Sequence, residues 1–166
     1  KRVVVSTYQA VSGTGRSAIT ELQSQVEEYV QGKPVTVNDV YPQQIAFNLI
    51  PQISTLKSSF PGYYGEEIKM ILETRKILGA PNLAVSATCV RVPVFNAHSE
   101  TINVEFERPI AADEARAILG KAEGIVVMDD PAAGIYPTPL QASGTDPVYV
   151  GRIRQDACNP NALDFF

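Results

Sequence analysis

The sequence predicts an α+β domain, with a mixed, mainly antiparallel sheet and helices packed on one face. Three observations lead there. The elements run strand, helix, irregular segment and helix, then mostly strands with one more helix. The stretch Thr101 to Glu107 alternates Ile102, Val104 and Phe106 with Asn103, Glu105 and Glu107, the pattern of a strand with one solvated face. The 166 residues are 45% hydrophobic and 19% charged, a balance that fits one globular domain, residues 1–166, with a sizeable core.

The elements follow in order. Arg2 to Thr7 is rich in β-branched residues and reads as a strand buried on both faces. Ser12-Gly13-Thr14-Gly15 is a turn. Ile19, Leu22, Val26 and Tyr29 then recur at helical spacing with Glu21, Gln25 and Glu28 between them, giving an amphipathic helix that ends near Gly32 and Pro34. From Pro34 to Pro61 the chain is irregular. Its apolar piece Ile45 to Ile50, bracketed by Pro42 and Pro51, is at most a short extended segment. A second helix runs from about Glu66 to Leu78, with Ile68, Ile71 and Leu78 near one face. Glu66 and Glu67 suit the positive end of its dipole, Arg75 and Lys76 the other end, and Gly79 the stop. Leu83 to Val94 is strand-like, Ala111 to Ala122 is a third helix, and Gly124 to Met128 and Val148 to Arg154 are strands joined by a Pro- and Gly-rich loop.

Composition narrows the function classes. The net charge of −4 and the lack of a long basic run argue against a nucleic-acid surface. No apolar run approaches the roughly 20 residues of a membrane span, and the stretch after Lys1-Arg2 is too short for a signal peptide. The chain does not begin with Met, so its start reads as a cut. The two cysteines, Cys89 and Cys158, are no disulfide framework, which points to a reducing, cytoplasmic setting. With one His and no paired Cys motif, no metal site is expected.

The residues with chemical potential are few. Arg91 stands between valines in a buried-looking strand, and a desolvated guanidinium needs an anionic partner. That partner is either an internal carboxylate or a substrate carboxylate held bidentately. His98 is the single His and the natural proton carrier near neutral pH, although a lone His is more often a surface or capping residue. Glu66 and Lys69, three apart on a helix, are either a solvated ion pair or a paired carboxylate and ammonium presented to a charged ligand. Cys89 with His98 could suggest a self-contained Cys–His hydrolase, but a Cys inside an apolar strand is ordinarily an inert hydrophobe. Cys158, in a polar turn, is expected to be exposed and incidental.

These residues fall within an ordered set of motifs. Ser86 to Glu100 carries Arg-Val-Pro-Val and His-Ser-Glu. Thr7 to Gly13 reads Thr-Tyr-Gln-Ala-Val-Ser-Gly, Phe47 to Ile53 contains Asn-Leu-Ile-Pro-Gln, Glu66 to Lys69 reads Glu-Glu-Ile-Lys, and Gly151 to Arg154 reads Gly-Arg-Ile-Arg. In that order, over essentially the whole chain, they resemble the substrate-binding and dimerisation domain of aspartate-β-semialdehyde dehydrogenase. The resemblance implies a fold like the C-terminal domain of glyceraldehyde-3-phosphate-dehydrogenase-type enzymes. It also implies NADPH-dependent reductive dephosphorylation of aspartyl phosphate to aspartate semialdehyde, on the route to lysine, methionine and threonine. Carried over to this chain, Arg91 would bind the substrate α-carboxylate, Glu66 its ammonium and Lys69 the phosphate. His98 would act as general acid and base, and Gln9 would orient the acyl group. A homodimer is implied, with Thr101 to Glu107 a candidate contact strand.

Departures from the family pattern are expected to matter. The family's nucleophilic Cys belongs upstream of Lys1, and its closing helix beyond Phe166. NADP would be held mainly by a dinucleotide-binding domain outside this chain, so no cofactor is expected on the chain itself. Ser12-Gly13-Thr14-Gly15 lacks the third glycine of a dinucleotide fingerprint and follows the wrong element. The chain alone is therefore expected to be inactive. Ala97 replaces the Gly usual before His98, which adds strain if that position needs a positive φ. The alternatives are a non-enzymatic dimerisation module of the same fold and a related acyl-phosphate reductase.

Overall fold

The computed structural model describes residues 1–37 and 40–166; Asn38 and Asp39, inside the irregular stretch, lie outside the described residues. Its main sheet has five strands in the order β2-β1-β3-β7-β6. They are β1 (Arg2–Gln9), β2 (Ala84–Arg91), β3 (Ser99–Glu105), β6 (Arg154–Gln155) and β7 (Ala162–Phe165). β1 and β2 are parallel and every other pair is antiparallel, so the sheet is mixed and mainly antiparallel. A separate parallel pair joins β4 (Ile125–Val127) to β5 (Val148–Val150). The helices are α1 (Arg16–Val30), α2 (Gly65–Ile77), α3 (Ala112–Leu119) and the short α4 (Pro139–Ala142).

Strand alternation decides which side chains are buried. In β1 and β2, Val5, Thr7, Gln9, Ala87, Cys89 and Arg91 all project to one face and are buried there. Arg2, Val4, Ser6 and Tyr8 project to the other face, where they are only half-buried or exposed. β1 is thus buried on one face, not two, because helices of this domain cover only one side of it. α2 packs along β2.

Glu67 fixes that packing. Its carboxylate accepts from Tyr64 N at the start of α2 (2.8 Å) and from Cys89 N on the outer edge of β2 (3.3 Å). Just beyond, Ile50 and Arg91 exchange both backbone hydrogen bonds, 3.0 and 2.9 Å.

The buried face of α1 is rotated from the expected one. Ala18, Glu21, Leu22 and Gln25 are buried, Ile19 and Val26 only border the core, and Tyr29 is exposed, its ring tilted against that of Phe47 with centroids 4.6 Å apart. The reason is the segment that α1 covers. Ile45 and Ala46 have no strand partner, so their N–H groups need another acceptor inside the core. Gln25 Oε1 takes both, at 3.0 and 2.9 Å, while its Nε2 donates to Thr36 O and Glu21 Oε1. Val11, Leu22, Tyr41, Ile45, Ala46 and Ile50 form the core around it.

The expected strand Val148 to Arg154 is two strands with a kink between them. A Cβ on Gly151 would lie 2.1 Å from Met128 O, so only glycine lets the two backbones cross. Arg152 has φ 55°, which ends strand geometry. Asp129 stabilises the kink, accepting from Arg152 N (2.7 Å), Ile153 N (3.2 Å) and Arg116 Nε (2.8 Å). β7 was not expected. It pairs with β3 through Ile102 to Glu105 and closes a second core with Ala115, Val150 and Ile153.

Candidate functional site

The C-terminal ends of the parallel strands β1 and β2 place Gln9 and Arg91 side by side in register. After Gln9 the chain makes a 3-10 turn, Val11–Thr14, and enters α1. The glycine-rich segment therefore does follow a strand and open a helix, which corrects the element order expected for it. After Arg91 the chain wraps over that turn. Val92 N donates to Gln9 O, Val11 N to Val94 O and Ser12 N to Phe95 O, all between 2.9 and 3.1 Å. Ser12 Oγ donates to Asn96 Oδ1 at 3.1 Å. Ala97 then takes φ 68°, a left-handed conformation, and turns the chain into β3, so the condition for strain at this position is met. An alanine there carries strain on the order of 1–3 kcal/mol.

The result brings His98 and Arg91 to the two backbone groups of one residue, Ala10. Ala10 N donates to His98 Nδ1 at 3.2 Å, and Ala10 O accepts from Arg91 Nη1 at 2.6 Å. Gly13 lies against both: a Cβ there would be 2.9 Å from His98 Nε2 and 3.0 Å from Arg91 Nη1. Glu66 and Lys69, from the first turns of α2, form an ion pair at 3.4 Å with Lys69 largely exposed. Both are near enough for their charges to act on His98.

Arg91 is 4% exposed. Among the described residues it has no carboxylate partner, and its Nε has no hydrogen-bond partner. Burial lowers its affinity for the proton, against the influence of Tyr41 and Glu66. A guanidinium so placed is buried without the internal counter-charge that ordinarily offsets its desolvation.

Burial, then the Arg91 and Lys69 charges, push the His98 pKa down, opposed by Glu66. The imidazole is therefore neutral at neutral pH. Its other flank borders a cavity of about 550 Å³ between β3 and the Pro137–Val150 segment, where burial pushes the Glu100 carboxyl up.

Cys89 is 1% exposed, and burial pushes its thiol up; Thr7 acts against this, while Glu67, Glu66 and Glu100 reinforce it. It is a poor nucleophile, and Cys158 is exposed. Among the described residues no group of three His, Cys, Asp or Glu side chains converges as a metal site would. No described helix is long and apolar enough to cross a membrane.

The structure brings Gln9, Arg91 and His98 together and sets Glu66 and Lys69 nearby. Sequence reasoning missed the Ala10 peptide, for which no side chain gives a signal. It also missed the space at Gly13, for which the only signal was the glycine itself.

The whole chain, residues 1–166, matches the family described as semialdehyde dehydrogenase, dimerisation domain. It is 51% identical over 156 residues to the aspartate-semialdehyde dehydrogenase of Aquifex aeolicus, covering 94% of this chain and 45% of that protein. It is 48% identical over 166 residues to that of Legionella pneumophila, covering 99% and 47%. The chain thus spans about half the length of the curated relatives it matches. Among solved structures it is similar to aspartate semialdehyde dehydrogenase II complexed with ASA from Vibrio cholerae, with TM-score 0.92 and 41% identity over 99% of this chain and 47% of that one. It is also similar to the Candida albicans enzyme with NADP, with TM-score 0.66 and 26% identity over 99% and 44%.

Proposed function

The chain belongs to the semialdehyde dehydrogenase dimerisation-domain family, and from that premise we propose that it is the substrate-holding part of an NADP-dependent aspartate-semialdehyde dehydrogenase. The observation that carries this reading is Arg91: buried, without a carboxylate partner among the described residues, and joined to His98 through the backbone of Ala10.

Each residue has a role matched to its chemistry. The planar fork of Arg91 binds the substrate α-carboxylate with two parallel hydrogen bonds. Glu66 faces the substrate ammonium, and Lys69, exposed and mobile on its stem, takes the phosphate. Gln9, next to Arg91 in register, orients the acyl group. His98, neutral in this setting, moves the proton at the reacting centre.

The burial of Cys89 and its raised pKa support its being inert and the nucleophilic thiolate lying in a part of the enzyme outside this chain. NADP supplies the hydride when bound. The glycine-rich turn at Gly13 packs against His98 and Arg91, which supports a role for it in the substrate site. NADP is accordingly assigned mainly to residues outside the chain. A guanidinium at Arg91 and a carboxylate at Glu66 favour an amino-acid acyl phosphate over one without free ammonium and carboxylate. The working form is a cytoplasmic homodimer, built through the sheet face that carries Arg2, Val4, Ser6 and Tyr8.

The test uses the full-length enzyme, assayed as phosphate-dependent reduction of NADP by aspartate semialdehyde. Activity is expected there. Lys69→Ala should raise KM for phosphate at least about tenfold more than KM for the semialdehyde, the signature of one lost charge-assisted contact. Equal changes in the two constants would remove Lys69 from the phosphate site, and inactivity of the wild-type enzyme would sink the whole reading.

A further inference from the structure

We propose that Gly13 is a positioning residue for His98: the missing side chain leaves the space in which the imidazole sits, and the Ala10 peptide then holds that imidazole with its proton on Nε2. This rests on the proposed reading that Arg91 and His98 face the substrate.

The argument begins with the backbone. A glycine is required either for a conformation or for space. Gly15, two residues on, has φ 104° and nothing near the site of a Cβ, so it serves conformation. Gly13 is the reverse. Its φ lies outside the left-handed region, so alanine is compatible with its backbone. The space beside it is taken: a Cβ would meet His98 Nε2 at 2.9 Å, Arg91 Nη1 at 3.0 Å and His98 Cε1 at 3.1 Å. Atoms of these kinds do not approach a methyl so closely, so one side chain must move.

The anchors decide which one. Arg91 is held to Ala10 O by a charge-assisted bond of 2.6 Å, and its strand is locked to β1 and Ile50. His98 is held to Ala10 N by a longer, neutral bond of 3.2 Å and stands after the strained Ala97. The imidazole gives way.

Its displacement has a chemical meaning. A backbone N–H can only donate, so His98 Nδ1 must present its lone pair to Ala10, and in the neutral ring the proton sits on Nε2. Nε2 is the atom that Gly13 leaves room for. Held this way, His98 offers an N–H to the reacting centre and acts first as a donor. To act as a base at Nε2 it must shift its proton to Nδ1 and lose the Ala10 bond. Gly13 and the Ala10 peptide thus select one tautomer. Burial and the neighbouring Arg91, Lys69 and Glu66 charges bear on whether the ring is protonated, not on which nitrogen holds the proton of the neutral form.

The experiment is made on the full-length enzyme. Gly13→Ala should lower kcat by about 10- to 100-fold, the cost of a reacting group displaced by a fraction of an ångström, while KM for aspartate semialdehyde changes less than about threefold. In a His98→Ala background the same substitution should cost less than about twofold, because the group it displaces is gone. A loss carried by KM with kcat kept would mean that Arg91 moves instead and would overturn the proposal, as would an undiminished loss in the His98→Ala background. The ¹⁵N imidazole shifts of the wild-type enzyme at neutral pH, assigned by their absence in His98→Asn, supply a readout free of any folding defect in Gly13→Ala. They should show protonated Nε2 and bare Nδ1, and protonated Nδ1 overturns the proposal. An inactive wild-type enzyme would defeat the functional reading but leave this spectroscopic test standing.

Discussion

Arg91 and Arg116 are both drawn into the body of this domain, and the structure treats them oppositely. Each nitrogen of the Arg116 guanidinium has a partner: its Nε bonds Asp129 Oδ2, its Nη1 meets Asp113 and its Nη2 donates to Ile153 O, with the Asp129 side chain only 1% exposed. That corner is a structural joint, tying α3 to the kink between β5 and β6. Arg91 is more deeply buried, yet among the described residues it has one carbonyl and no carboxylate. A fold that can supply three partners to one guanidinium has left the other short. The difference separates an arginine that holds the protein from one that holds a ligand, and it supports the substrate-clamp reading of Arg91 over an internal ion pair.

The largest expected effect is at the joint. Asp129→Ala removes the buried acceptor of two backbone N–H groups and of Arg116 Nε, so it should cost about 3–5 kcal/mol of stability. Chemical denaturation would measure this, and kcat/KM of the folded fraction should hold. If stability stays within about 1 kcal/mol, the joint has been overvalued.

Next comes Arg91→Lys in the full-length enzyme. Lysine keeps the charge and loses the fork, so kcat/KM should fall by about 30- to 1000-fold, or roughly 2–4 kcal/mol, with little change in melting temperature. Near-normal kcat/KM together with a melting temperature lowered by many degrees would make Arg91 a second Arg116 and erase the comparison.

The smallest effect is expected at Cys89. Cys89→Ser should leave turnover within about tenfold, since a thiol with a raised pKa has little thiolate to lose. Complete loss of activity with the fold intact would relocate the nucleophile to this chain.

Much of the fold was legible because it is written in local periodicity. The helices α1, α2 and α3, and the strands β1, β2 and β3, carry their pattern in consecutive residues, whereas the four-residue α4 lies in the stretch that reads as a Pro- and Gly-rich loop. The misses have a common cause. Gln25 reads as a solvent-facing residue of α1, and only the bare N–H groups of Ile45 and Ala46, some twenty positions away, draw it inside. The break at Arg152 depends on the crossing of Gly151 and Met128. β7 is four residues after an Asn-Pro-Asn turn, too short to show a period, and exists because β3 needs a neighbour. In the site, Arg91 stood out by being charged among valines, and His98 by being alone of its kind. The Ala10 peptide could not be read at all, because every residue type carries the same backbone groups. Whether Arg91 had an internal partner was likewise a question of distance that no spacing answers.

The Glu67 carboxylate at Cys89 N and the Ile50 pairing at Arg91 have a consequence for assembly. An outermost strand with bare N–H and C=O groups invites another chain to extend the sheet. Here that invitation is withdrawn at the end of β2 nearest the site, where a side chain and a loop already occupy the bonding positions. The opposite border, β6, is only two residues long. Strand addition is thereby blocked at the site end of β2 and has little length to work with at β6.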